Sequence, residues 1–152
     1  MRIIAHRANI GGCNFEVENK LFSIKKCIDK GFDVEIDIRF KNGELYLGHD
    51  FAKDIITKKE LDSIKDNSWI HCKNLEAISF FNEIDEEYNY FWHQKDSYTL
   101  TSKGFIWAYP GEELTKKCIC VMPELNYAID KLNTLKNLEI SGVCTDYPDM
   151  FL

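Results

Sequence analysis

Between residues 32 and 40, apolar and polar side chains alternate without a break. Phe32, Val34, Ile36, Ile38 and Phe40 fall on one side, Asp33, Glu35, Asp37 and Arg39 on the other. Period two belongs to a strand, whose successive side chains point to opposite faces. Shorter β-rich runs predict further strands at residues 2–7, 44–48, 69–73, 90–93, 105–109, 118–122 and 142–146. Helical spacing separates several of them. Leu21, Ile24, Cys27 and Ile28 form a stripe over about residues 20–30, and Gly31 after it suits a left-handed C-terminal stop. Thr57 and Glu60 have the spacing of a capping box ahead of Leu61 and Ile64. Asn74 can cap a helix over about 75–85, with Leu75, Ile78 and Phe81 inward. Leu125, Ile129, Leu132 and Leu135 mark a last helix before Gly142, while segments 93–105 and 109–118 are too short for full helices with loops.

Strands alternating with helices predict an α/β domain with a mostly parallel sheet. At 152 residues the chain fits one domain, residues 1–152. An eight-unit barrel of ordinary proportions takes about 250 residues, so a barrel here must drop or shrink outer helices. A doubly wound open sheet is the competing architecture, although no glycine-rich phosphate loop follows the first strand. The formal net charge of -6 excludes a general grip on nucleic acid, which needs clustered Lys and Arg, so any phosphate must be held locally. No apolar run approaches the roughly 20 residues that cross a bilayer. Met1-Arg2 leads straight into Ile3-Ile4-Ala5-His6 without a cleavable signal pattern, and a soluble, cytoplasmic protein is expected. The six cysteines lack CxxC spacing, which predicts reduced thiols. Cys118 and Cys120 share a strand face and are read as small buried hydrophobes rather than ligands.

The chemistry gathers on the polar side of the alternating strand. Glu35 and Asp37 stand two residues apart, which places two carboxylates about 7 Å apart on one face, and hard divalent cations favour such oxygens. The same pattern also fits the solvated face of an edge strand. Asn42-Gly43 predicts a type I′ hairpin that folds 44–48 back beside 36–41 and carries His49-Asp50 towards the acidic pair. That register pairs His49 with Ile36 and would turn the imidazole to the apolar face. Gly48 is therefore expected to break the strand and re-aim it. His71 and Lys73 share one face of their strand, with Ile70 and Cys72 opposite, and His6-Arg7 ends the first strand. Parallel barrels keep their sites at such carboxyl ends. Phe91, Trp107 and Tyr109 either line a sugar or polyol pocket or pack a core short of helices, and His93 shares the face of Phe91 at a strand end.

Taken in order, His6-Arg7, Glu18-Asn19, Glu35-Ile36-Asp37, Gly48-His49-Asp50, Lys73 and Thr145-Asp146-Tyr147-Pro148 resemble the glycerophosphodiester phosphodiesterases. That family carries an HR strand end, a PEN-type helix start, an ExD strand, an HD after a hairpin, a strand ending ExK and a late TDxP. The resemblance runs from the first strand to the last and is tightest over residues 3–50. It implies a reduced (β/α) TIM-type barrel with several outer helices shortened or missing. It also implies metal-dependent hydrolysis of a glycerophosphodiester-like or polyol or sugar phosphodiester, an activity of lipid metabolism. In that reading His6 and His49 are the acid/base pair, Glu35 and Asp37 hold the metal, and Arg7 and Lys73 lie beside the phosphate. By analogy, a substrate hydroxyl attacks first and water then opens a cyclic phosphate. His93 and Trp107 join as candidates for substrate binding.

The chain departs from the family at one ligand: the third carboxylate, two residues before the lysine, is His71 here. Imidazole suits Mn²⁺ or Zn²⁺ better than the Mg²⁺ or Ca²⁺ of the family. Either the metal preference shifts with His71 as ligand, or Glu124 or Asp146 completes the shell. Lys20 in place of threonine, Ala8 in place of glycine and the lack of proline before Glu18 touch a loop and a helix start. Two other functions fit the same residues: a noncatalytic phosphoryl-ligand binding module, and an enzyme of phosphorylated glycan or capsule metabolism. A barrel short of helices would also expose apolar surface, from which a homodimer is expected.

Overall fold

The computed structural model describes residues 1–84 and 86–152. Its elements in chain order are β1 (Arg2–Ala5), α1 (Leu21–Asp29), β2 (Asp33–Lys41), β3 (Glu44–Leu47), β4 (Asp54–Ile56), α2 (Lys58–Ile64), β5 (Ser68–Cys72) and α3 (Leu75–Glu83). There follow β6 (Tyr90–Phe91), β7 (Tyr98–Leu100), β8 (Ile106–Ala108), β9 (Cys118–Val121) and β10 (Gly142–Thr145). All strands join one mixed sheet. Its parallel run is β6-β5-β2-β1-β10-β9-β8, flanked by antiparallel β3-β4 on β2 and β7 on β8. Apart from the pair β6 and β8, at the two ends, each parallel strand pairs with the next parallel one in the chain, and β1 lies between β2 and β10. The reversal of strand order that marks a doubly wound sheet is not present among the described strands. The ladder does not close, although its ends come together: the Ser102 amide donates to the Tyr90 carbonyl at 2.8 Å, and the rings of Phe91 and Trp107 are 4.6 Å apart.

β2 is central, because it pairs with β1, β3 and β5. The edge-strand alternative therefore fails, and both faces of β2 are buried. Val34, Ile36 and Ile38 join Ile70, Ile24, Leu61 and Phe81 in a core covered by α1, α2 and α3. On the opposite face the register sets Glu35 beside Trp69 and Asp37 beside His71. There Trp69 packs with Ile4, Phe91, Trp107, Ile119 and Cys144 in a second apolar layer.

Local signals account for most element ends. The Thr57–Glu60 capping box forms as expected, and the Asn74 side chain caps α3 by accepting from the Ala77 amide. The strand expected over residues 2–7 stops at Ala5, since His6–Ala8 make a 3₁₀ turn with left-handed Arg7 (φ 50°) and Ala8 (φ 63°). The last helix is also corrected: Ile129–Asn137 is 3₁₀ rather than α. Its apolar positions Ile129, Leu132 and Leu135 recur every third residue, which matches three residues per turn. β4 and β7 escaped the pattern because three residues carry too little periodicity. The thiols are free, Cys13 exposed and the others buried. Among the described residues no helix is long and apolar enough to cross a membrane.

Candidate metal centre

The site lies along the polar face of β2, near the carboxyl ends of β1, β5 and β10. One ligand atom each from Glu35, Asp37 and His71 fall within 4.8 Å of one another. His71 Nδ1 is 3.3 Å from Asp37 Oδ1 and 3.5 Å from Glu35 Oε1. The other ring nitrogen, Nε2, sits 2.8 Å from the His93 carbonyl. A carbonyl only accepts, so Nε2 carries the proton and Nδ1 is the atom presented to the carboxylates. Stacking on Phe91, 5.0 Å between ring centroids, fixes the ring plane. Asp37 is gripped from behind by Asn19, whose Nδ2 donates to Oδ2 at 2.8 Å and whose Oδ1 accepts from the Asp37 amide at 2.9 Å. Its Oδ1 is buried without a hydrogen-bond partner.

These residues fit a divalent cation. An orphaned carboxylate oxygen, a second buried carboxylate and an imidazole oriented by a carbonyl make up the usual ligands with their supporting contacts. Without an ion, a proton takes its place. Burial pulls His71 down, but the facing carboxylates of Asp37 and Glu35, 3.3 and 3.5 Å away, outweigh it and push the imidazole up to about 9. Burial alone would raise Asp37. Against it, His71, Arg7 and, more weakly, His49 hold its carboxyl well below the usual carboxylate range. The alternative third ligands are otherwise engaged. Glu124 accepts from the Asp146 amide at 2.7 Å and from the Thr145 hydroxyl at 2.9 Å. Asp146 Oδ1 accepts from Asn9 Nδ2 at 2.8 Å and faces His6 Nδ1 at 2.9 Å. Neither belongs to the cluster, so His71 is the third candidate ligand.

His6 follows β1 into the turn, and Asp146, just past β10, holds its Nδ1 at 2.9 Å. Burial lowers the His6 imidazole, yet the Asp146 hydrogen bond and the charges of Glu35 and Asp146 raise it above its ordinary value. The left-handed Arg7 aims its amide at Glu35 Oε2 (3.0 Å) and its Nε at Asp37 Oδ2 (3.4 Å). Gly48 does what its position requires. At φ 148° it ends β3, its amide donates to the Asp37 carbonyl at 3.1 Å, and a Cβ there would lie 2.1 Å from the Phe51 carbonyl oxygen. His49 thereby leaves the ladder and escapes the Ile36 and Ile38 side. It stands at the rim with Nδ1 2.8 Å from Asp50. Lys73 Nζ is 4.0 Å from Asp37 Oδ1.

Two working positions were not singled out from the pattern. Arg39 binds the carbonyls of His49 (2.6 Å), Gly48 (3.4 Å) and Lys73 (3.4 Å), tying together the strand ends that present His49 and Lys73. Its place on the face of Glu35 and Asp37 was the available signal. Asn19 was visible only as half of a motif. The structure brings His6, Arg7, Glu35, Asp37, His71 and Lys73 together, with His49 beside them. It does not bring the rings of His93 and Trp107. His93 Nε2 turns to the Asp96 carbonyl at 2.6 Å, and only the His93 carbonyl reaches the site. Trp107 is 3% exposed in the apolar layer, against Phe91 and Trp69. Comparison with protein-family models, curated proteins and solved structures gave no match.

Proposed function

We propose that this chain is a metal-dependent phosphodiester hydrolase of the glycerophosphodiester phosphodiesterase type, built on a reduced β/α barrel. The observation that carries the reading is the unpartnered, buried Asp37 Oδ1 facing Glu35 and His71, with a carboxylate-held histidine and two cations around it. The barrel reading rests on the unreversed strand order and on the contacts between β6 and the β7–β8 pair. One imidazole among two carboxylates shifts the preference towards Mn²⁺ or Zn²⁺. The bound ion supplies Lewis-acid stabilisation of charge developing on phosphoryl oxygens.

The chain's own groups supply the rest. Arg7 and Lys73 offset negative charge on the diester. A substrate hydroxyl attacks phosphorus, one imidazole of the His6 and His49 pair takes its proton, and the other protonates the departing alkoxide. One P–O bond forms as another breaks, giving a cyclic phosphate, which water opens with the two roles exchanged. Asp146 keeps His6 in the tautomer this needs. A noncatalytic phosphoryl-binding module is the second reading, favoured by one observation: protonated His71 balances the carboxylates without any ion.

The test is hydrolysis of a p-nitrophenyl diester of glycerol phosphate with Mn²⁺, Zn²⁺, Mg²⁺ and Ca²⁺ in turn. Turnover is expected with Mn²⁺ or Zn²⁺, and His6→Ala and His49→Ala each lower kcat by roughly 10²–10⁴-fold. Absence of turnover with every metal, or full activity in both variants, refutes the enzyme. Binding without hydrolysis selects the module.

A further inference from the structure

Helical cover is unevenly spread around the sheet. α1, α2 and α3 cover the core beneath β2 and β5, and the 3₁₀ segment Ile129–Asn137 sets Leu132 and Leu135 against Cys120 and Val143. β7 and β8 have no such cover, because residues 92–97 and 109–117, on either side of this hairpin, carry no helix. The ladder pairs Thr99 with Trp107, which packs in the inner apolar layer, so Tyr98 and Leu100 point outward, with Ile106 opposite Leu100. Leu100 is 68% exposed and Tyr98 42%. Leu100 also lines two hollows at once, one of 650 Å³ with Tyr98 and Ile106, the other of 360 Å³ with Ile78 and Trp92. It is a bare apolar knob with a socket on either side, the kind of surface that marks an interaction site on a soluble chain.

The charges around the hairpin are sorted by sign. At the Leu100–Ile106 end stand Lys103, in the turn, and Lys117, whose Nζ lies 5.9 Å from the Phe105 ring centroid. Lys116 there is paired with Glu139 at 3.1 Å. Towards the Tyr98–Ala108 end stand Glu112, whose carboxylate accepts from the Ser97 hydroxyl at 2.7 Å, and Glu113, whose carbonyl accepts from the Tyr98 hydroxyl at 2.9 Å. Lys95 and Asp96, just before Ser97, offset each other. A lipid surface or a strongly charged partner calls for one sign. A second copy of the chain, related by a two-fold axis through the hairpin, calls for both, since the axis reverses the strands and lays each acidic end on the other copy's basic end. We propose that this face is a homodimer interface, in which β7 of each protomer runs antiparallel to its partner's and each Leu100 enters the partner's hollow. The inference is independent of the chemistry proposed above.

Sedimentation equilibrium of the full chain tests it. Wild type is expected to reach twice the 17.8 kDa of one chain below about 100 μM, since the weakest interfaces of standard size have micromolar constants. Leu100→Asp places a charge in the centre of the interface and raises the dimer dissociation constant by at least about a hundredfold. The charges are read separately. Reversing the basic end (Lys103→Glu with Lys117→Glu), or the acidic end (Glu112→Lys with Glu113→Lys), is expected to weaken self-association roughly tenfold or more. An equimolar mixture of the two double variants restores a dimer, which a merely misfolded pair does not. A wild type that stays at 17.8 kDa throughout overturns the proposal. So does a dimer untouched by Leu100→Asp in folded protein, because the contact then lies elsewhere. Failure of the mixture to restore association overturns the antiparallel arrangement.

Discussion

The two faces of β2 carry almost the same burial and opposite tasks. On one, Val34, Ile36 and Ile38 are 0% exposed and pack beneath the helices. On the other, Glu35 and Asp37 are 2% and 0% exposed, yet they hold charge. Burial stabilises the first face directly, by removing apolar surface from water. It penalises the second, because a buried charge is costly until it is paired. The polar face is tolerated because Asn19, Arg7, Lys73 and His71 surround its carboxylates, and the contact that remains unmade, at Asp37 Oδ1, is the one a ligand would complete. Adjacent residues of one strand thus show how a fold divides stability from chemistry by parity alone.

Substitution on the apolar face should break the comparison most strongly. Ile36→Ala leaves a cavity under the helices and is expected to cost about 2–5 kcal/mol. Urea denaturation would measure that, while Mn²⁺ affinity of the folded fraction stays within a few-fold of wild type. A large loss of metal affinity at constant stability would mean that the two faces are not separate.

Acidity sharpens the comparison from the polar side. In metal-free protein the His71 imidazole is raised from 6.5 to about 9. A group whose folded value exceeds its unfolded value stabilises fully below the unfolded one, about pH 6.5, and that contribution fades as pH rises through about 9. The shift corresponds to about 3 kcal/mol. Urea midpoints of metal-free protein should therefore fall between pH 6 and pH 10, and His71→Gln should flatten most of that fall. An identical slope in the variant would show that the imidazole is not paired as described.

The smallest effect is expected at the support behind Asp37. Asn19→Ala strips both hydrogen bonds from this ligand and leaves its buried amide unsatisfied, for about 1–3 kcal/mol of stability. Mn²⁺ binding is expected to weaken by roughly 10–100-fold, as for other residues that orient a ligand from behind. Isothermal titration would register it. Unaltered affinity would show that β2 alone fixes the carboxylate.

Much of the architecture was legible because its causes are local. Alternation in residues 32–40, the Thr57–Glu60 box, the Asn74 cap and the Asn42-Gly43 turn are written in neighbouring residues, and the chain adopts them. The His71–Lys73 face and the rescue of His49 by Gly48 were accessible by the same period-two geometry. Less legible were the short β4 and β7, the 3₁₀ character of Ile129–Asn137 and the turn at Arg7, where too few residues carry a period.

Aromatic residues mark where reading along the chain stops being informative. Phe91 and Trp107 could face a ligand or a core, and only packing against Trp69 placed Trp107 inside. His93 likewise reaches the site through its carbonyl, which no side-chain pattern encodes. Sequence by itself determined which residues alternate, cap and turn, because those preferences are set within a few residues by sterics and hydrogen bonding. Only the tertiary structure decided that β2 is central, that Asp146 serves His6 rather than a metal, and that Asp37 keeps one oxygen unpartnered. Those outcomes depend on which strands lie side by side, and that is fixed by contacts between residues far apart in the chain.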